Sequence, residues 1–292
     1  TYKSALANLD LGGGKAVIIG DPHQHKTEAL LEAMGRAVDK LGGQYIIAED
    51  SGTSVADLKV IARHTQHVAG IASGLGFDGK PTDGDPAPAT AYGVFVGLKA
   101  AVKHRLGRTD LTGLKVAIQG VGNVGYLLAR HLNNAGAELW VYDIRQENMD
   151  KAITEFGAKA ATAEDILFLP VDVIAPCALG AILNGHSIPK LHAQMVAVVV
   201  INLLATPAND LDLLKRGILY APDFVLNAGG IINVFYEHSN QNTDKIWSHI
   251  ETISETLNEI FTRSDRDKRP TGEIANELAE ERFSKKSKGK HL

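Results

Sequence analysis

The sequence contains a single cysteine, Cys177, among 292 residues. One cysteine excludes an intramolecular disulfide framework, and no Cys and His residues stand at the spacing of a zinc finger. Long apolar runs are also lacking, because the longest, residues 195–201, is far shorter than the roughly 20 residues needed to cross a bilayer. No charged-then-apolar leader follows Thr1. We therefore expect a cytoplasmic protein without a membrane span or a metal.

A strong charge of either sign is missing as well. The chain has 30 Lys and Arg against 34 Asp and Glu, a formal net charge of -4. This balance gives no general attraction to phosphate backbones, so we expect no nucleic-acid partner. Residues 284–290 hold several lysines among Ser and Gly, which predicts a solvated, disordered tail.

The middle of the chain carries the pattern that predicts the fold. Residues 114–119 form a mostly apolar strand, glycines dominate residues 120–125, residues 126–134 have helical spacing, and residues 138–142 form a second strand. Strand, turn, helix and strand in this order make a βαβ unit, which builds parallel sheets. Further strands are predicted at 171–174 and 195–201, with helices at 147–156 and 207–216. We predict a doubly wound α/β domain of the Rossmann type.

The flanking segments are less regular. Thr27 precedes apolar residues at helical steps, which predicts a helix ending near Leu41. We also predict strands at 16–19 and 44–48, helices at 55–64, 90–106 and 243–262, and an exposed loop at 73–88. The resulting domains are 1–88, 89–233 and 234–292, the last being a helix that packs back onto the first domain, followed by the basic tail.

The glycines of residues 120–125 stand in the spacing of a dinucleotide-binding turn. Gly120 permits the tight turn, Gly122 lets the backbone approach a pyrophosphate, and Gly125 lets the following helix pack closely. Asp143 lies about 20 residues on, at the end of the next strand, where a carboxylate accepts ribose hydroxyls and repels a 2′-phosphate. The expected cofactor is therefore NAD, although Asp143 could instead cap a helix.

Two lysines and one aspartate are candidates for proton chemistry. Lys15 follows three glycines at the start of a predicted strand, and Lys3 lies close before it. If both amines share a pocket, each lowers the pKa of the other, and a lysine with a lowered pKa is a suitable general base. Asp50 follows another predicted strand. Solvated surface lysines and an Asx turn or helix cap at Asp50 remain the alternatives.

Seven ordered motifs make the chain similar to the Glu/Leu/Phe/Val dehydrogenases. They are Tyr2-Lys3 and residues 11–18, 48–53, 90–93, 120–125, 175–180 and 220–230. The resemblance implies oxidative deamination of an L-amino acid by NAD in a homo-oligomer. It also implies a substrate domain at residues 1–88 that lacks the family's first several dozen residues, and an NAD-binding domain at 89–233.

The resemblance assigns roles to individual residues. Lys3 pairs with the substrate carboxylate, Lys15 activates the attacking water, and Asp50 shuttles protons to the substrate nitrogen. Thr90 and Asn227 hold the nicotinamide carboxamide. The remaining cofactor contacts are Gly120, Gly122, Asn123, Val124, Gly125, Asp143, Ile144, Cys177, Ala178 and Asn202. The remaining substrate contacts are Gly13, Ala48, Ile231 and Val234.

The implied side-chain pocket is apolar. Ala48, Ile231 and Val234 offer no charge to a glutamate side chain, so a branched aliphatic substrate is expected. An aromatic amino acid is the alternative, because Ala48 leaves room. A non-catalytic NAD-binding protein is the other alternative, because Ile201 replaces the first Asn of the family's Asn-Asn pair, and only Asn202 is kept.

Two weaker candidates complete the search. His23 and His25 flank Gln24 in a polar loop and would suit a metal pair, but no third ligand is near in sequence. Cys177 would suit a nucleophile, but it has no evident His partner. We therefore predict no metal site, and the resemblance implies a groove position for Cys177.

Overall fold

A six-stranded parallel sheet forms the centre of the computed structural model. The structure describes residues 1–72, 74–75, 81–82, 84–178, 180–197, 202–239 and 245–288. The strands of this sheet are β3 (Lys115–Gln119), β4 (Glu138–Tyr142), β5 (Lys159–Ala160), β6 (Val173–Pro176), β7 (Met195–Ala197) and β8 (Leu219–Ala221). Their order is β5-β4-β3-β6-β7-β8. The strand order reverses between β3 and β6, which is the switch point of a Rossmann sheet, so the predicted fold class is confirmed.

The described helices are of two kinds, those that cover the two faces of this sheet and those near the beginning of the chain that pack away from it. They are α1 (Tyr2–Leu6), α2 (Glu28–Asp39), α3 (Val55–Ile61), α4 (Ala87–Leu106), α5 (Asn123–Asn134), α6 (Gln146–Phe156), α7 (Ala208–Lys215), α8 (Asp223–Leu226), α9 (Gly229–His238), α10 (Ile246–Asp267) and α11 (Thr271–Lys288). A short 3-10 helix spans Ile188–Lys190. Among the described residues, no helix is both long and apolar enough for a membrane span.

The alternation of side chains along β3 explains why two layers form. Val116 and Ile118 point into the larger core, which contains α4, α5 and α10, whereas Ala117 points into a second core on the opposite face. All three side chains are fully buried. A strand that is buried on both faces has a mostly apolar sequence, as residues 114–119 do.

The predicted helix at 90–106 is present as α4 and begins three residues earlier. Gly107 ends it with φ 68°, a left-handed conformation that glycine adopts without a steric penalty. The predicted exposed loop at 73–88 contains a two-stranded antiparallel pair, β1 (Gly74–Leu75) and β2 (Pro81–Thr82), and the start of α4. Residues 73, 76–80 and 83 of this loop lie outside the described part of the chain.

Both strands predicted near the beginning of the chain are wrong. Residues 44–48 contribute one isolated parallel bridge, between Ile47 and Val68. Residues 16–19 have no strand assignment, and Val17 and Ile19 are 79% and 97% exposed. A strand forms only by hydrogen bonding to a neighbour, and an apolar sequence by itself supplies none.

The predicted helix that ends near Leu41 and the one predicted at 55–64 are both present, as α2 and α3. Thr27 is the N-cap of α2, and its side chain accepts a hydrogen bond from the Leu30 N–H at 3.3 Å. α3 ends at Ile61, before the predicted end at residue 64.

The end of the chain is more helical than predicted. α10 runs to Asp267, and α11 continues through Lys288, so the disordered tail predicted from residue 284 is wrong up to residue 288. α11 persists because one of its faces is buried: Ile274, Ala275, Leu278 and Ala279 are at most 3% exposed and belong to the larger core. Packing of such a face stabilises a helix whose polar composition alone would not.

Candidate active site

The glycine turn at the switch point has the geometry of a phosphate-binding loop. Gly120 has φ 94°, and its N–H donates to the Tyr142 carbonyl at 2.6 Å. A Cβ on Gly125 would overlap the Gly120 carbonyl oxygen and lie 3.2 Å from Cys177 Cβ, so α5 can pack this closely only with glycine there. A Cβ on Gly122 would meet nothing within 4 Å. Open space therefore lies above Gly122, at the N-terminus of α5, where Asn123 and Val124 form the first turn.

Asp143 ties the end of β4 to the glycine turn. Its Oδ2 accepts the Val121 N–H at 2.8 Å, and its Oδ1 accepts the Arg145 N–H at 2.8 Å. Ile144 is 88% exposed beside it. The carboxylate is half-buried, and each oxygen keeps acceptor capacity for a hydroxyl group.

Thr90 lies on α4 and Asn227 lies between α8 and α9, and the start of α9 approaches α4 closely. Thr90 is in the first turn of α4, where its hydroxyl donates to the Pro86 carbonyl at 2.9 Å. A Cβ on Gly230 would lie 2.5 Å from Thr90 Oγ1, and one on Gly229 would overlap the Ala89 carbonyl. Asn227, 6% exposed, comes just before these glycines. The glycine pair therefore brings the Asn227 turn against the start of α4.

Lys15 and Asp50 form an ion pair between Lys15 Nζ and Asp50 Oδ2. Both side chains remain more than half exposed. The Asp50 backbone is held by a local turn, in which the Asp50 N–H donates to Thr53 Oγ1 at 3.0 Å and the Asp50 Oδ1 accepts the Ser51 N–H at 2.8 Å. The turn supports the carboxylate and leaves Oδ2 available to the lysine.

Lys3 is half-buried, and its charge interacts with that of Lys15. Burial, together with the positive charge of Lys15, lowers the pKa of Lys3 to about 8. The pKa of Lys3 thus shows the effect expected for two neighbouring amines. The carboxylate of Asp223 acts in the opposite direction and favours the charged form of Lys3.

Asp223 is a buried carboxylate to which sequence reasoning gave no role. It begins α8, against which α1 packs, and it is 7% exposed. Its oxygens accept the Phe224 N–H at 2.6 Å and the Leu203 N–H at 3.4 Å. Burial raises the pKa of Asp223, while those N–H groups and Lys3 lower it. Its position inside the 220–230 motif was the only sequence signal.

Cys177 and Ala178 lie beside the glycine turn, directly after β6. The Cys177 N–H donates to the Gln119 carbonyl at 2.7 Å, and Cβ atoms on the glycine turn would touch both residues. Burial raises the pKa of the Cys177 thiol, which keeps it protonated and argues against a nucleophile. Asn202 is exposed with φ 62°, and its carbonyl accepts the Ala181 N–H at 2.8 Å. Ile201, which replaces the first Asn of the expected pair, lies outside the described residues, as do residues 198–200.

The predicted side-chain pocket residues come from two parts of the molecule. Ile231 and Val234 are on α9, both half-buried, and a Cβ built on Gly70 would lie 3.8 Å from Val234 Cγ2. Ala48 is half-buried beside the Ile47 bridge. Gly13 packs so closely on Thr1 that a Cβ there would overlap the Thr1 nitrogen.

The histidine pair is part of a local turn. The His23 N–H donates to Asp21 Oδ1 at 2.8 Å, and His25 Nδ1 accepts the Asp21 N–H at 2.9 Å. Within the described ranges, no group of three or more His, Cys, Asp or Glu side chains could hold a metal ion.

Comparison with known proteins identifies the family of this chain. The model of the "Glu/Leu/Phe/Val dehydrogenase, dimerisation domain" matches residues 1–67, and that of "Glutamate/Leucine/Phenylalanine/Valine dehydrogenase" matches residues 84–143 and 140–268. The chain belongs to the Glu/Leu/Phe/Val dehydrogenase family. It is therefore an amino-acid dehydrogenase, an oxidoreductase.

The relatives of this dehydrogenase differ in their substrates. It is 47% identical to leucine dehydrogenase of Geobacillus stearothermophilus, over 97% of this chain and 76% of that protein. It is 42% identical to valine dehydrogenase of Streptomyces virginiae, over 97% of this chain and 79% of that protein. The crystal structure of L-tryptophan dehydrogenase from Nostoc punctiforme superposes with a TM-score of 0.84 at 40% identity, covering 99% of this chain and 81% of that one.

Proposed function

We propose that this dehydrogenase catalyses the reversible, NAD-dependent oxidative deamination of a branched-chain L-amino acid of the leucine type. The supporting observation is the cluster in which Lys15 pairs with Asp50, and in which burial and the charge of Lys15 lower the pKa of Lys3. Oxidative deamination needs a cation for the substrate carboxylate, a base for the attacking water and a group that exchanges protons with the leaving ammonia. Two amines and one carboxylate can supply these three functions.

Lys3 is suited to bind the substrate carboxylate. A protonated amine makes a charge-assisted hydrogen bond to a carboxylate, and such a contact orients the α-carbon. Asp223, beside Lys3, favours the protonated form that this role needs. Lys15 would take the proton of the attacking water, and Asp50 would exchange protons with the substrate nitrogen.

The residues around the switch point fit a dinucleotide. The open space over Gly122 suits a pyrophosphate, and Asp143 keeps lone pairs for ribose hydroxyls. Gly120, Gly122, Asn123, Val124, Gly125, Asp143, Ile144, Cys177, Ala178 and Asn202 would line the adenosine and phosphate part, with Thr90 and Asn227 at the nicotinamide. NAD supplies the hydride acceptor when bound. The charge of Asp143 disfavours the 2′-phosphate of NADP.

The leucine-type substrate is proposed from the apolar pocket. Ala48, Ile231 and Val234 would contact the side chain, and none can neutralise a glutamate carboxylate. The 47% identity to a leucine dehydrogenase supports the same class. An aromatic substrate is the second candidate, supported by the TM-score of 0.84 to an L-tryptophan dehydrogenase.

One assay separates these proposals. NADH formation would be followed with Leu, Val, Phe, Trp and Glu, with NAD and NADP compared for each. The highest kcat/KM with Leu supports the proposal, and the highest with Trp or Phe supports the second candidate. NAD binding without turnover of any amino acid would refute both and identify a non-catalytic NAD-binding protein. Asp143→Asn should raise the NADP to NAD ratio, because it removes the repelling charge and keeps the side-chain shape.

We also propose a homo-oligomer, since the model that matches residues 1–67 is named a dimerisation domain. Light scattering of the purified protein would test this. The proposed domain division is a substrate domain at 1–88, an NAD-binding domain at 89–233, and a C-terminal segment at 234–292 that packs back. Limited proteolysis should then cut first near residue 88, before α4, rather than at residue 233, which α9 protects.

A further inference from the structure

Glu237, near the end of α9, holds a distant segment of the backbone. Its Oε1 accepts three successive N–H groups: from Gly70 at 3.0 Å, from Ile71 at 2.8 Å and from Ala72 at 2.8 Å. Successive N–H groups that converge on one anion form a nest, and a carboxylate in it makes charge-assisted hydrogen bonds. One side chain therefore anchors residues 70–72 to a helix more than 160 positions further along the chain.

The backbone of the anchored segment is shaped for this contact. Gly70 has φ 80°, a left-handed conformation that brings consecutive N–H groups to one side. Gly84 lies directly against it, so a Cβ there would overlap the Gly70 carbonyl. On the other side, the segment continues from Ala69, whose N–H donates to the Ile47 carbonyl at 2.9 Å. The anchor thus connects α9 to the part of the chain that carries Ala48 and Asp50.

Glu237 also shares a helix face with the proposed substrate pocket. Val234 precedes it by three positions, so both side chains lie on the same side of α9. The position of a Cβ on Gly70 is 3.8 Å from Val234 Cγ2. The three hydrogen bonds therefore hold residues 70–72 beside Val234, and they set the distance between α9 and the segment that carries Asp50.

We propose that Glu237 is a positioning residue that sets the width of the substrate side-chain pocket. This proposal rests on the proposed function, because it takes Val234 as a pocket wall. Glu237 acts through residues 70–72 and Val234, without touching the reacting atoms. Loss of the carboxylate should loosen the 70–72 segment and weaken the binding of long apolar side chains more than that of short ones.

The test compares Glu237→Gln and Glu237→Ala with Glu164→Gln, a matched change at an exposed glutamate. Hydrogen exchange of the amides of residues 70–72 should accelerate roughly tenfold in the Gln variant and more in the Ala variant, as expected for the loss of a charge-assisted bond. The KM for leucine as substrate should rise roughly tenfold. The KM for alanine as substrate and the Kd for NAD should stay near those of Glu164→Gln. Glu237→Asp, with a shorter side chain, should give amide exchange rates and a KM for leucine between those of Glu237→Gln and Glu237→Ala.

The alternative outcomes have different meanings. Unchanged KM values for Leu in Glu237→Ala, in folded protein, would overturn the proposal even if the thermal midpoint fell, since only a structural role would then remain. Unchanged amide exchange would overturn the anchor itself. If the wild-type protein oxidises no amino acid, the proposed function fails, and the exchange of residues 70–72 still decides whether Glu237 anchors them.

Discussion

Asp50 Oδ2 forms an ion pair with Lys15 Nζ, while Asp50 Oδ1 accepts a hydrogen bond from the Ser51 N–H. The two oxygens thus have separate partners, one from the local turn and one from a segment 35 positions earlier in the chain. Because the turn fixes the carboxylate, Lys15 meets an acceptor whose orientation is set without it. The pair is largely exposed, so its contribution to stability is small, and the role proposed for it is proton exchange.

The first prediction concerns this pair. Lys15→Ala and Asp50→Asn should each lower kcat by about 10²–10⁴-fold, the range expected for the loss of a general acid or base. NAD affinity, measured by fluorescence titration, should not change, because neither residue belongs to the proposed cofactor site. Lys40→Ala, at the exposed end of α2, is the control. Near-normal turnover by Lys15→Ala would refute the role assigned to Lys15.

The second prediction follows from the pKa of Lys3, which is lowered to about 8. Carboxylate binding needs the protonated amine, and a group with this pKa loses its proton as the pH rises through 8. The kcat/KM for the amino acid should therefore decline above pH 8, approaching a roughly tenfold loss per pH unit. Lys3→Arg should remove this decline, since a guanidinium stays charged. A decline at the same pH in the Arg variant would assign it to another group.

The third prediction separates folding from cofactor binding in the glycine turn. Gly125→Ala should destabilise the protein, because its Cβ would overlap the Gly120 carbonyl. Gly122→Ala meets no atom within 4 Å and should unfold at the wild-type temperature, but lose NAD affinity by about tenfold or more because the methyl group occupies the phosphate side. Gly185→Ala, equally unobstructed and far from the turn, should change neither property. A Gly122→Ala variant that binds NAD as tightly as the wild type would contradict the interpretation of this turn as a phosphate-binding loop.

The fourth prediction concerns a buried carboxylate outside the proposed site. Asp210 is 5% exposed, and its Oδ2 accepts the Gly272 N–H at 2.7 Å at the start of α11. Burial, with a smaller effect of Glu273, raises the pKa of Asp210 to about 6. The folded state thus binds this proton more tightly than the unfolded state, so the stability it confers is present at low pH and is lost as the pH rises through 6.

Asp210→Asn keeps an acceptor for Gly272 and removes the buried charge. At pH 8 it should unfold at higher urea concentration than the wild type, with a gain of about 1–3 kcal/mol for a shift of this size. The gain should shrink toward pH 4, where the wild-type carboxyl group is protonated in the folded state. A variant less stable than the wild type at pH 8 would show that the ionised carboxylate is the better partner for α11.

Residues whose environment is local were predicted well. β4 occupies residues 138–142 as predicted, and α4, α5 and α6 differ from their predicted bounds by no more than three residues. The signals there were an uninterrupted apolar run and helical spacing, which a neighbouring element in the same βαβ unit converts directly into burial. Residues 16–19 carried an equally apolar signal and formed no strand, because hydrogen-bond pairing depends on a partner that composition does not specify.

The sequence by itself determined the α/β class, the glycine turn and the identity of the residues able to do acid–base and phosphate chemistry, since all of these follow from residue types at short spacing. Only the tertiary structure decided that Lys15 meets Asp50, that Lys3 carries the lowered pKa, and that Asp223 and Glu237 accept hydrogen bonds from other segments of the chain. The physical reason is that a pKa and a hydrogen-bond nest depend on desolvation and on charges brought in from distant segments. Those distances arise from packing, which no local pattern encodes.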